Sequence, residues 1–391
     1  MVHSIVTMGT SSIKDELLTL FDFDRDTPTT SAFVQQRQKI LPSAFEALLN
    51  DFNQAFPIPF LHKGLRLLAF DGSSVPIFAD PNDLDNFTQT KPDVKGYSNL
   101  HLNACYDLLS QRYVDAIIQS DNLKNETLAM NTMVDRFESL HKAVFIADRY
   151  YESYNVFAHA LESNNHFLIR AKDIHSNGIA KGLLLPDEDE FDIDVSFIIT
   201  HKQTNHVKEN PRTYKIIKKE RFDFFTEDSP YYHMSFRVVR FKITDDSYEV
   251  IITSLDRDEF SSKDIKELYN MRWGIESAFR QLKHVVGLNY SHAKKVDSIK
   301  QEIFACLILH NFCEIITSNI VIQQKDTKYP YQINATRAFR ICRHFLRFSS
   351  FKRPLDVEAL ISKELLPVRP NRNFSRKSST RKSFSFLYRA S

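Results

Sequence analysis

Four side chains that can bind phosphate or metal stand within one short segment, LYNMRWGIESAFRQLKHVVGL. Tyr269, Arg272, Glu276 and Lys283 have the spacing Y-x2-R-x3-E-x6-K. At about 100° per residue these positions form one stripe of a helix, roughly 80° from an apolar stripe that would pack on the protein core. A helix fixed in this way holds the four side chains where together they can reach a phosphate backbone and a metal ion. The alternative is the solvated charged face of an amphipathic helix.

Two more carboxylates follow short apolar segments that are typical of buried strands. Asp71 comes directly after Leu65–Phe70, with a glycine and a serine predicted to turn the chain away, and Asp148 comes after Val144–Ala147. The ends of strands in an open α/β sheet are the usual place for ligands. Each aspartate by itself is more typical of a turn or helix cap. Together with Glu276 they give the order Asp, Asp, Glu, which favours a shared metal site.

The segments around these acids resemble a known family. AFDGS, ADRYYESYN and YNMRWGIESAFRQLK are similar to the three catalytic blocks of DDE insertion-sequence transposases, in the family named after the Y-R-E-K signature (insertion sequence family four). The similarity continues through GYSNLHLNACYDLLSQRYVDAIIQS, NETLAMNTMVDRF and SHAKKVDSIKQEIFACLILHNF, and it runs from about Ser31 to the C-terminus. One departure is Tyr150, which follows Arg149 where the family usually has a glycine.

The resemblance implies a set of functional residues. Asp71, Asp148 and Glu276 would be the catalytic residues and would hold two divalent metal ions, while Tyr269, Arg272 and Lys283 would grip DNA. Oxygen ligands suit hard cations, so Mg²⁺ (or Mn²⁺) is the expected cofactor. Two such ions about 4 Å apart can activate a water or a 3′-hydroxyl and stabilise the leaving oxygen of a phosphodiester, so that no side-chain nucleophile is required.

The predicted fold class is α/β: an RNase H-like catalytic core, with a mixed sheet flanked by helices, interrupted by a β-rich insertion. Helical N- and C-terminal regions flank this core. The predicted core strands are Leu65–Phe70, Leu100–Leu108, Tyr113–Gln119, Val144–Ala147 and Phe167–Ala171, and the predicted helices are Asn125–Phe137 and Ser153–Glu162. If the first and fourth strands pair in parallel, Asp71 and Asp148 become neighbours. Ser261 and Asp264 are a candidate capping box for the signature helix.

Five regions follow from these patterns. They are a helical DNA-binding region at 1–60, the first part of the core at 61–172, the β-rich insertion at 173–253, the second part of the core at 254–325 and a basic region at 326–391. In the insertion, DVSFIIT, RTYKIIKKERFDFF, HMSFRVVRFKIT and YEVIITSL alternate as strands do. The N-terminal region resembles the later part of the domain with which the family recognises terminal inverted repeats, so we expect its first segment to be absent.

The C-terminal region is strongly basic, with 14 Lys and Arg against three Asp and Glu in residues 331–391. Arg337, Arg340, Arg343 and Arg347 recur there at helical spacing, ahead of a Ser-rich basic tail. Cations that neutralise phosphates give salt-sensitive DNA binding, so we expect these arginines to contact DNA. The alternative is a solvated helix followed by a disordered tail. Arg149 and Lys95 are further candidates for backbone contact.

Composition is that of a globular protein, with 391 residues and 42% apolar side chains. No apolar run is long enough to span a membrane and the start lacks signal-peptide features, so we expect a cytoplasmic, nucleoid-associated protein. Cys306, His310 and Cys313 would share a helix face, which makes zinc conceivable. Apolar neighbours and the lack of a fourth ligand favour a buried helix instead. Trp273 is expected in the core rather than on a DNA base.

The functional hypothesis is a DDE transposase that binds double-stranded DNA, both terminal inverted repeats and target, and then cleaves and transfers a strand. Action as a homodimer is implied by the resemblance. Two alternatives remain open. One is an inactive or truncated remnant that binds DNA without cutting it, and the other is an RNase H-like metal-dependent nuclease without strand transfer.

Overall fold

The structure, a computed structural model, describes residues 1–57, 60–245, 247–324, 328–348 and 355–369, and the backbone of residues 387 and 388. Within residues 1–57 the chain is helical: α1 (Val2–Thr7), α2 (Ile13–Leu20), α3 (Thr30–Arg37) and α4 (Pro42–Ala55). Side-chain oxygens of Ser12 and Thr29 accept backbone N–H groups at the starts of α2 and α3. Such caps satisfy donors that the first helical turn leaves unpaired.

The core follows the predicted order of its longer strands and helices. Its elements are β1 (Arg66–Ile77), β2 (Phe87–Thr88), β3 (Tyr97–Asp107), β4 (Arg112–Ser120), α5 (Glu126–Asp135), β5 (Ala143–Ala147), α6 (Tyr154–Glu162) and β6 (His166–Ala171). The predicted parallel pairing of β1 with β5 is confirmed, and β5 pairs with β6 in parallel as well. The predicted turn after Asp71 is wrong. Strand β1 continues to Ile77 because Gly72 and Ser73 pair with Asn103 and Leu102 of β3.

Residues 173–253 contain the predicted strands, but the strands extend the core sheet. The elements are β7 (Phe191–Thr200), α7 (Asn205–Glu209), β8 (Tyr214–Ile216), β9 (Tyr231–Thr244) and β10 (Ser247–Thr253). Strand β10 pairs antiparallel with β6, and β9, β7 and β8 follow outward. Of the predicted strand RTYKIIKKERFDFF, the part after Ile216 is not a strand. The described residues therefore form one ten-stranded mixed sheet, in the order β2-β3-β1-β5-β6-β10-β9-β7-β8 with β4 on β3.

The signature segment forms a helix in three consecutive parts. These are α8 (Ser262–Met271), α9 (Trp273–Gln281) and a π-helical turn (Leu282–Val286). The predicted capping box is confirmed: Ser261 accepts from the backbone N–H of Asp264, whose side chain accepts from the N–H of Ser261. The remaining elements are β11 (Tyr290–Ser291), α10 (Val296–Ser318), β12 (Tyr331–Ile333), α11 (Ala335–Arg347), α12 (Val357–Lys363), β13 (Leu365–Pro367) and β14 (Leu387–Tyr388).

The sheet separates two apolar layers. Alternating β1 residues such as Leu67 and Ala69 face a layer shared with α9, α10 and the N-terminal helices, whereas Leu68 and Phe70 face a layer shared with α5 and α6. This alternation is the two-residue period of a strand buried on both faces. In the part of the chain that the structure describes, no helix has the length and apolar character needed to cross a membrane.

Candidate active site

The register of two parallel strands brings Asp71 and Asp148 side by side. In that register Ala69 pairs with Ile146, and each aspartate lies two residues further along its own strand direction. Neighbouring strands are about 5 Å apart, so continuing the register places the two aspartates on adjacent strands at the same level. The period of two also puts both side chains on the face of Ala69 and Ile146. That face belongs to the apolar layer shared with α9.

Glu276 comes to the same place from the helix above that face. Its neighbours on α9, Ile275 and Phe279, are buried in the layer that contains Ala69. Gly274 allows a close approach, because a Cβ atom there would lie only 2.9 Å from a methyl carbon of Leu108. The side chain of Glu276 stays one-third exposed, at the margin of the packed surface. The helix therefore supplies a third carboxylate near the middle of β1 and the end of β5.

The electrostatics of Asp71 reflect this convergence. Its pKa is raised to about 6, chiefly by burial, and the negative charges of Asp148 and Glu276 raise it further. A hydrogen bond from the Gly72 N–H and the positive charge of Arg272 act in the opposite direction. Carboxylates that repel one another at short range have this effect on a pKa. Asp71 thus experiences both of the other acids that the sequence singled out.

Arg272 lies between the strand acid and the helix acid. Its Nη2 donates to Oε1 of Glu276 at 2.8 Å, and its Nη1 is 4.0 Å from Oδ2 of Asp71. The side chain is buried, and burial lowers the pKa of Arg272, but Tyr269, Glu276 and Asp71 together raise it above its usual value. Its Nε is buried and has no hydrogen-bond partner among the described residues. The guanidinium therefore acts as the counterion of the acids while one of its donors is unsatisfied.

The other two signature residues flank this ion pair. The guanidinium of Arg272 lies 5.8 Å from the ring centre of Tyr269, which is buried, and burial raises the pKa of that phenol. Burial lowers the pKa of Lys283, and the charge of Asp71 opposes that change. Lys283 is half-buried in the π-helical turn that follows α9. Arg272, Glu276 and Lys283 thus interact with Asp71, and Tyr269 lies beside Arg272. The roles on DNA predicted for Tyr269, Arg272 and Lys283 stay predictions.

The donor set at this position is chemically suited to a hard divalent cation, since it consists of three carboxylates. Across the described residues, however, no group of three or more His, Cys, Asp and Glu side chains has the geometry of a metal site. In this arrangement the positive charge among the acids comes from Arg272. Binding of a cation by all three carboxylates would therefore require Glu276 to exchange its partner.

Several residues that follow or neighbour the acids in the sequence have exposed side chains. Arg149 and Tyr150 follow Asp148 in a short 3-10 turn, in which the Asp148 carboxylate accepts from the Tyr150 N–H, and both side chains are exposed. Trp273 is 52% exposed. The centre of its ring lies 5.2 Å from the guanidinium carbon of Arg272. The prediction that Trp273 belongs to the core is wrong, because it faces away from the apolar stripe of the helix. Lys95 is exposed as well.

The four arginines of α11 lie at the predicted helical spacing but differ in their surroundings. Arg337 and Arg340 are exposed. Arg343 instead donates to the carbonyl oxygen of Val286, at the end of the signature helix. Arg347 donates to the carbonyl oxygen of Thr7 and pairs with a carboxylate of α2. These two guanidinium groups hold helices together, while the DNA contacts predicted for all four stay predictions. The basic tail lies largely outside the described residues.

Cys306, His310 and Cys313 lie in α10, mostly buried, as the buried-helix prediction stated. Burial lowers the pKa of His310 to about 3, and its Nε2 is 3.2 Å from Oε1 of Gln281. Glu314, one residue beyond Cys313, is also buried, and burial raises its pKa to about 7. This polar cluster connects α10 to the end of α9.

One pair next to the acids was missed from the sequence. His101 of β3 and Glu126 of α5 have Nε2 and Oε1 3.0 Å apart and lie directly against Gly72. They are 25 positions apart on different elements, so no periodicity or motif links them. Their proximity follows from the β1–β3 register and the packing of α5, which only the fold determines.

Comparison with known proteins gives three kinds of similarity. The chain is 39% identical over 59 residues to the putative transposase InsL for insertion sequence element IS186A of Escherichia coli K12, and equally to the transposase for insertion sequence element IS421 of E. coli. These alignments cover 15% of this chain and only 16% of each relative's length. A cryo-EM structure of piggyBac transposase in a synaptic complex with hairpin DNA aligns over 97% of this chain and 78% of that one, with 10% identity and a TM-score of 0.44.

The third similarity is to a family. The Transposase DDE domain matches residues 62–312, more than half of the chain, and these residues contain β1, β5 and α9 with their three carboxylates. The chain belongs to the Transposase DDE domain family.

Proposed function

We propose that this protein is a DNA transposase of the Y-R-E-K family, with an RNase H-like core in which Asp71, Asp148 and Glu276 are the catalytic and metal-binding residues. One observation carries the proposal. The parallel register aligns Asp71 with Asp148, and the pKa of Asp71 is raised by the charges of both Asp148 and Glu276. Unrelated surface acids would not be brought together in this way by two buried strands and a buried helix.

Mg²⁺ or Mn²⁺ is the proposed cofactor, and a pair of such ions would activate a water or a 3′-hydroxyl and stabilise the leaving oxygen. The chain's own contribution is to hold three carboxylates close together in spite of their repulsion. The raised pKa of Asp71 is a consequence chiefly of burial and, to a smaller extent, of that repulsion. A nearby cation lowers the free energy of the ionised form, so bound metal would offset part of this cost.

Arg272 has two proposed partners in succession. Without DNA it pairs with Glu276 and neutralises the acids. A DNA phosphate offers the planar guanidinium a bidentate partner. It can also engage the buried Nε, for which the described residues provide no hydrogen-bond partner. Transfer of Arg272 to a phosphate would release Glu276. Lys283 would contribute a positive charge to a neighbouring phosphate, and Tyr269 would support Arg272 from its buried position.

The proposed substrate is double-stranded DNA, at terminal inverted repeats and at a target site, acted on by a homodimer in the cytoplasm near the nucleoid. The helical region 1–60 is the proposed reader of the repeats. The divisions at 61–172, 173–253, 254–325 and 326–391 are proposed as functional regions, even though the strands of 173–253 extend the core sheet.

A plasmid assay tests this function. The protein is incubated with a supercoiled plasmid that carries the DNA flanking its gene, with Mg²⁺, Mn²⁺ or EDTA. Insertion products in the presence of metal are expected. Nicking without insertion would indicate a nuclease, and a gel shift without cleavage would indicate a protein that only binds DNA.

Variants assign the acids in the same assay. Asp71→Asn, Asp148→Asn and Glu276→Gln are each expected to reduce cleavage by about a thousandfold or more while DNA binding remains. Glu267→Gln, on the exposed side of α8, is the matched control and is expected to cleave normally. Wild-type cleavage by any of the three variants would remove that residue from the catalytic set.

A further inference from the structure

A second basic region lies far from the C-terminus, in the outer part of the sheet. Residues 201–221 contain seven Lys and Arg but only two Asp and Glu. They form α7, the edge strand β8 and the turn that follows. The exposed cations of this segment are Lys202, Lys208, Arg212, Lys218, Lys219 and Arg221.

These cations are not neutralised by neighbouring acids. Among the described residues, none of the six has a side-chain nitrogen within 4.0 Å of a carboxylate oxygen, in contrast to Arg237, which pairs with Asp192, and Arg240, which pairs with Asp173. Lys215 differs from them, because its ammonium donates to the carbonyl oxygens of Gly182 and Pro211. The excess positive charge is therefore available to an external partner.

The cations border an open groove. Two shallow depressions share Tyr154, Ile216 and Ile217, so they join along β8 into one surface. Lys208 lines one end of it, and Lys218 and Arg221 line the other. Ile216 is 44% exposed on this surface. An apolar floor with cationic ends fits a backbone of phosphates and sugars better than it fits a single small anion.

The groove begins close to the candidate active site. Glu152 and Ser153 line it, and Glu152 is four residues after Asp148. Four residues span at most about 14 Å, so that end of the groove lies within this distance of the acid. The carboxylate of Glu152 accepts the backbone N–H groups of Lys172 and Ile179, which hold it at the groove wall. Tyr154, Ile179 and Ile217 of the groove pack on the layer shared with α5 and α6, whereas the acids lie on the face of α9. A duplex that contacts both would therefore pass around the end of β5, where Asp148 lies.

We infer that this groove binds the phosphate backbone of duplex DNA next to the bond being cut. The inference rests on the proposed function, since the acids define where the DNA lies. Lysine and arginine contacts to phosphates do not depend on base sequence, so the groove strengthens binding to any duplex and holds it in register with the acids. Its residues lie mainly in or beside α6, α7 and β8, so it is a different surface from α11.

The test measures duplex affinity against salt for a groove variant and a charge-matched control. The groove variant is Lys218→Ala/Arg221→Ala. The control is Lys142→Ala/Lys263→Ala, which also removes two exposed cations. Lys142 precedes β5, at the other end of that strand from Asp148, and Lys263 lies in the first turn of α8. A fluorescent duplex of about 40 bp and mixed sequence is titrated in EDTA, so that no cleavage occurs. Each lost phosphate contact reduces the slope of log K against log salt by about 0.9.

The groove variant is expected to show a slope smaller by about 1.8 and an affinity at least tenfold weaker at about 100 mM salt, while the control matches wild type. Lys208→Ala, at the other end of the groove, is expected to lower the slope of log K against log salt by about 0.9. If the double variant has a lower melting temperature than wild type, this single variant tests the groove in its place. Equal slopes for wild type and both groove variants would overturn the groove but leave the catalytic acids standing. Failure of the wild type to bind duplex would overturn the proposed function as well.

Discussion

Arg272 and Glu276 lie one helical turn apart, and Nη2 of the arginine donates to Oε1 of the glutamate at 2.8 Å. Nη1 of the same guanidinium is 4.0 Å from Asp71. A residue predicted as a DNA contact is thus the counterion of two of the three candidate metal ligands. Two of the four signature residues, the arginine and the glutamate, are therefore paired with each other in the protein alone.

Replacing Arg272 by alanine is expected to separate these roles. Without the guanidinium, Asp71 and Glu276 lose their counterion, so the free energy of unfolding in EDTA falls by about 1–2 kcal/mol, discounted for the partial exposure of Glu276. Added Mg²⁺ then raises the melting temperature more than it does for wild type, because the guanidinium no longer competes for Asp71 and Glu276. DNA affinity and its salt dependence both fall.

Arg257→Ala is the control for this variant, since Arg257 pairs with Asp192 and Asp194 on an exposed surface. It should leave the response to Mg²⁺ and the DNA salt slope unchanged. An Arg272→Ala protein that is as stable as wild type in EDTA would contradict the counterion role.

Trp273→Ala is expected to change DNA handling more than stability. The side chain is half exposed, so its loss should cost less than about 1 kcal/mol of folding free energy, while DNA affinity and cleavage decrease. Phe279→Ala, in the buried stripe of the same helix, should cost about 3–5 kcal/mol. Chemical denaturation and a gel shift measure the two effects. A loss of several kcal/mol for Trp273→Ala would restore its assignment to the core.

Gly72→Ala is expected to disturb the acid beside it. A Cβ atom at this position would lie 2.4 Å from Nε2 of His101, a side chain that is buried and cannot move freely. The strain should cost about 1–3 kcal/mol and reduce cleavage through displacement of Asp71. Gly182→Ala, with no atom within 4 Å of its Cβ, is the control. Thermal melts and plasmid nicking compare the two, and equal behaviour would mean that His101 yields without consequence.

The arginines of α11 are expected to divide into two pairs. Arg343→Ala and Arg347→Ala each remove hydrogen bonds to buried carbonyl groups, so each should lower the free energy of unfolding by about 1–3 kcal/mol. Arg337→Ala and Arg340→Ala should leave stability within about 0.5 kcal/mol and weaken DNA binding. Urea denaturation and anisotropy titrations give both readouts. Similar effects of all four on stability would contradict the division.

Glu314→Gln is expected to remove a pH dependence of stability. Burial raises the pKa of Glu314 from 4.5 to about 7, so within this range the folded protein holds a proton that the unfolded chain has lost. The free energy of unfolding of the wild type therefore falls as the pH rises from about 4.5 to about 7. Above pH 7 the contribution of Glu314 no longer changes with pH. The glutamine variant should gain up to about 3 kcal/mol over wild type above pH 7 and little near pH 4.5. Denaturation at several pH values, with exposed Glu267→Gln as control, tests this; a constant difference would refute it.

The core strands and the three acids could be predicted from the sequence because local patterns indicate them. Short apolar runs precede Asp71 and Asp148, and Glu276 belongs to a set of polar residues at helical spacing. The element order made a parallel pairing of β1 with β5 the condition for bringing the two aspartates together, and the structure shows that pairing. The continuation of β1 past Asp71 did not, since Gly72 and Ser73 indicate a turn in any local interpretation and only pairing with β3 keeps them extended. Tertiary pairing overrides local preference in such cases.

The hydrogen-bond partners of long charged side chains could not be predicted from the sequence either. The repeat of Arg343 and Arg347 predicts a common helix face, but nothing in it indicates that the carbonyl oxygens of Val286 and Thr7 will meet their guanidinium groups. Trp273 is a similar case: its aromatic character suggested burial, while its angular position, opposite the apolar stripe, put it outside. Position on the helix was the better guide than residue type.

Strand β1 is paired on its β3 side both before and after Asp71, and the backbone of Asp71 itself is opposite Ala104. Displacing this aspartate would break a ladder that runs to Ile77. Glu276, by contrast, reaches the acids with a side chain that has three rotatable bonds and lies partly in solvent. In the proposed reaction the glutamate would therefore be the acid that adjusts to changes in the length and charge of the phosphodiester, and the aspartate would be the acid that keeps its position.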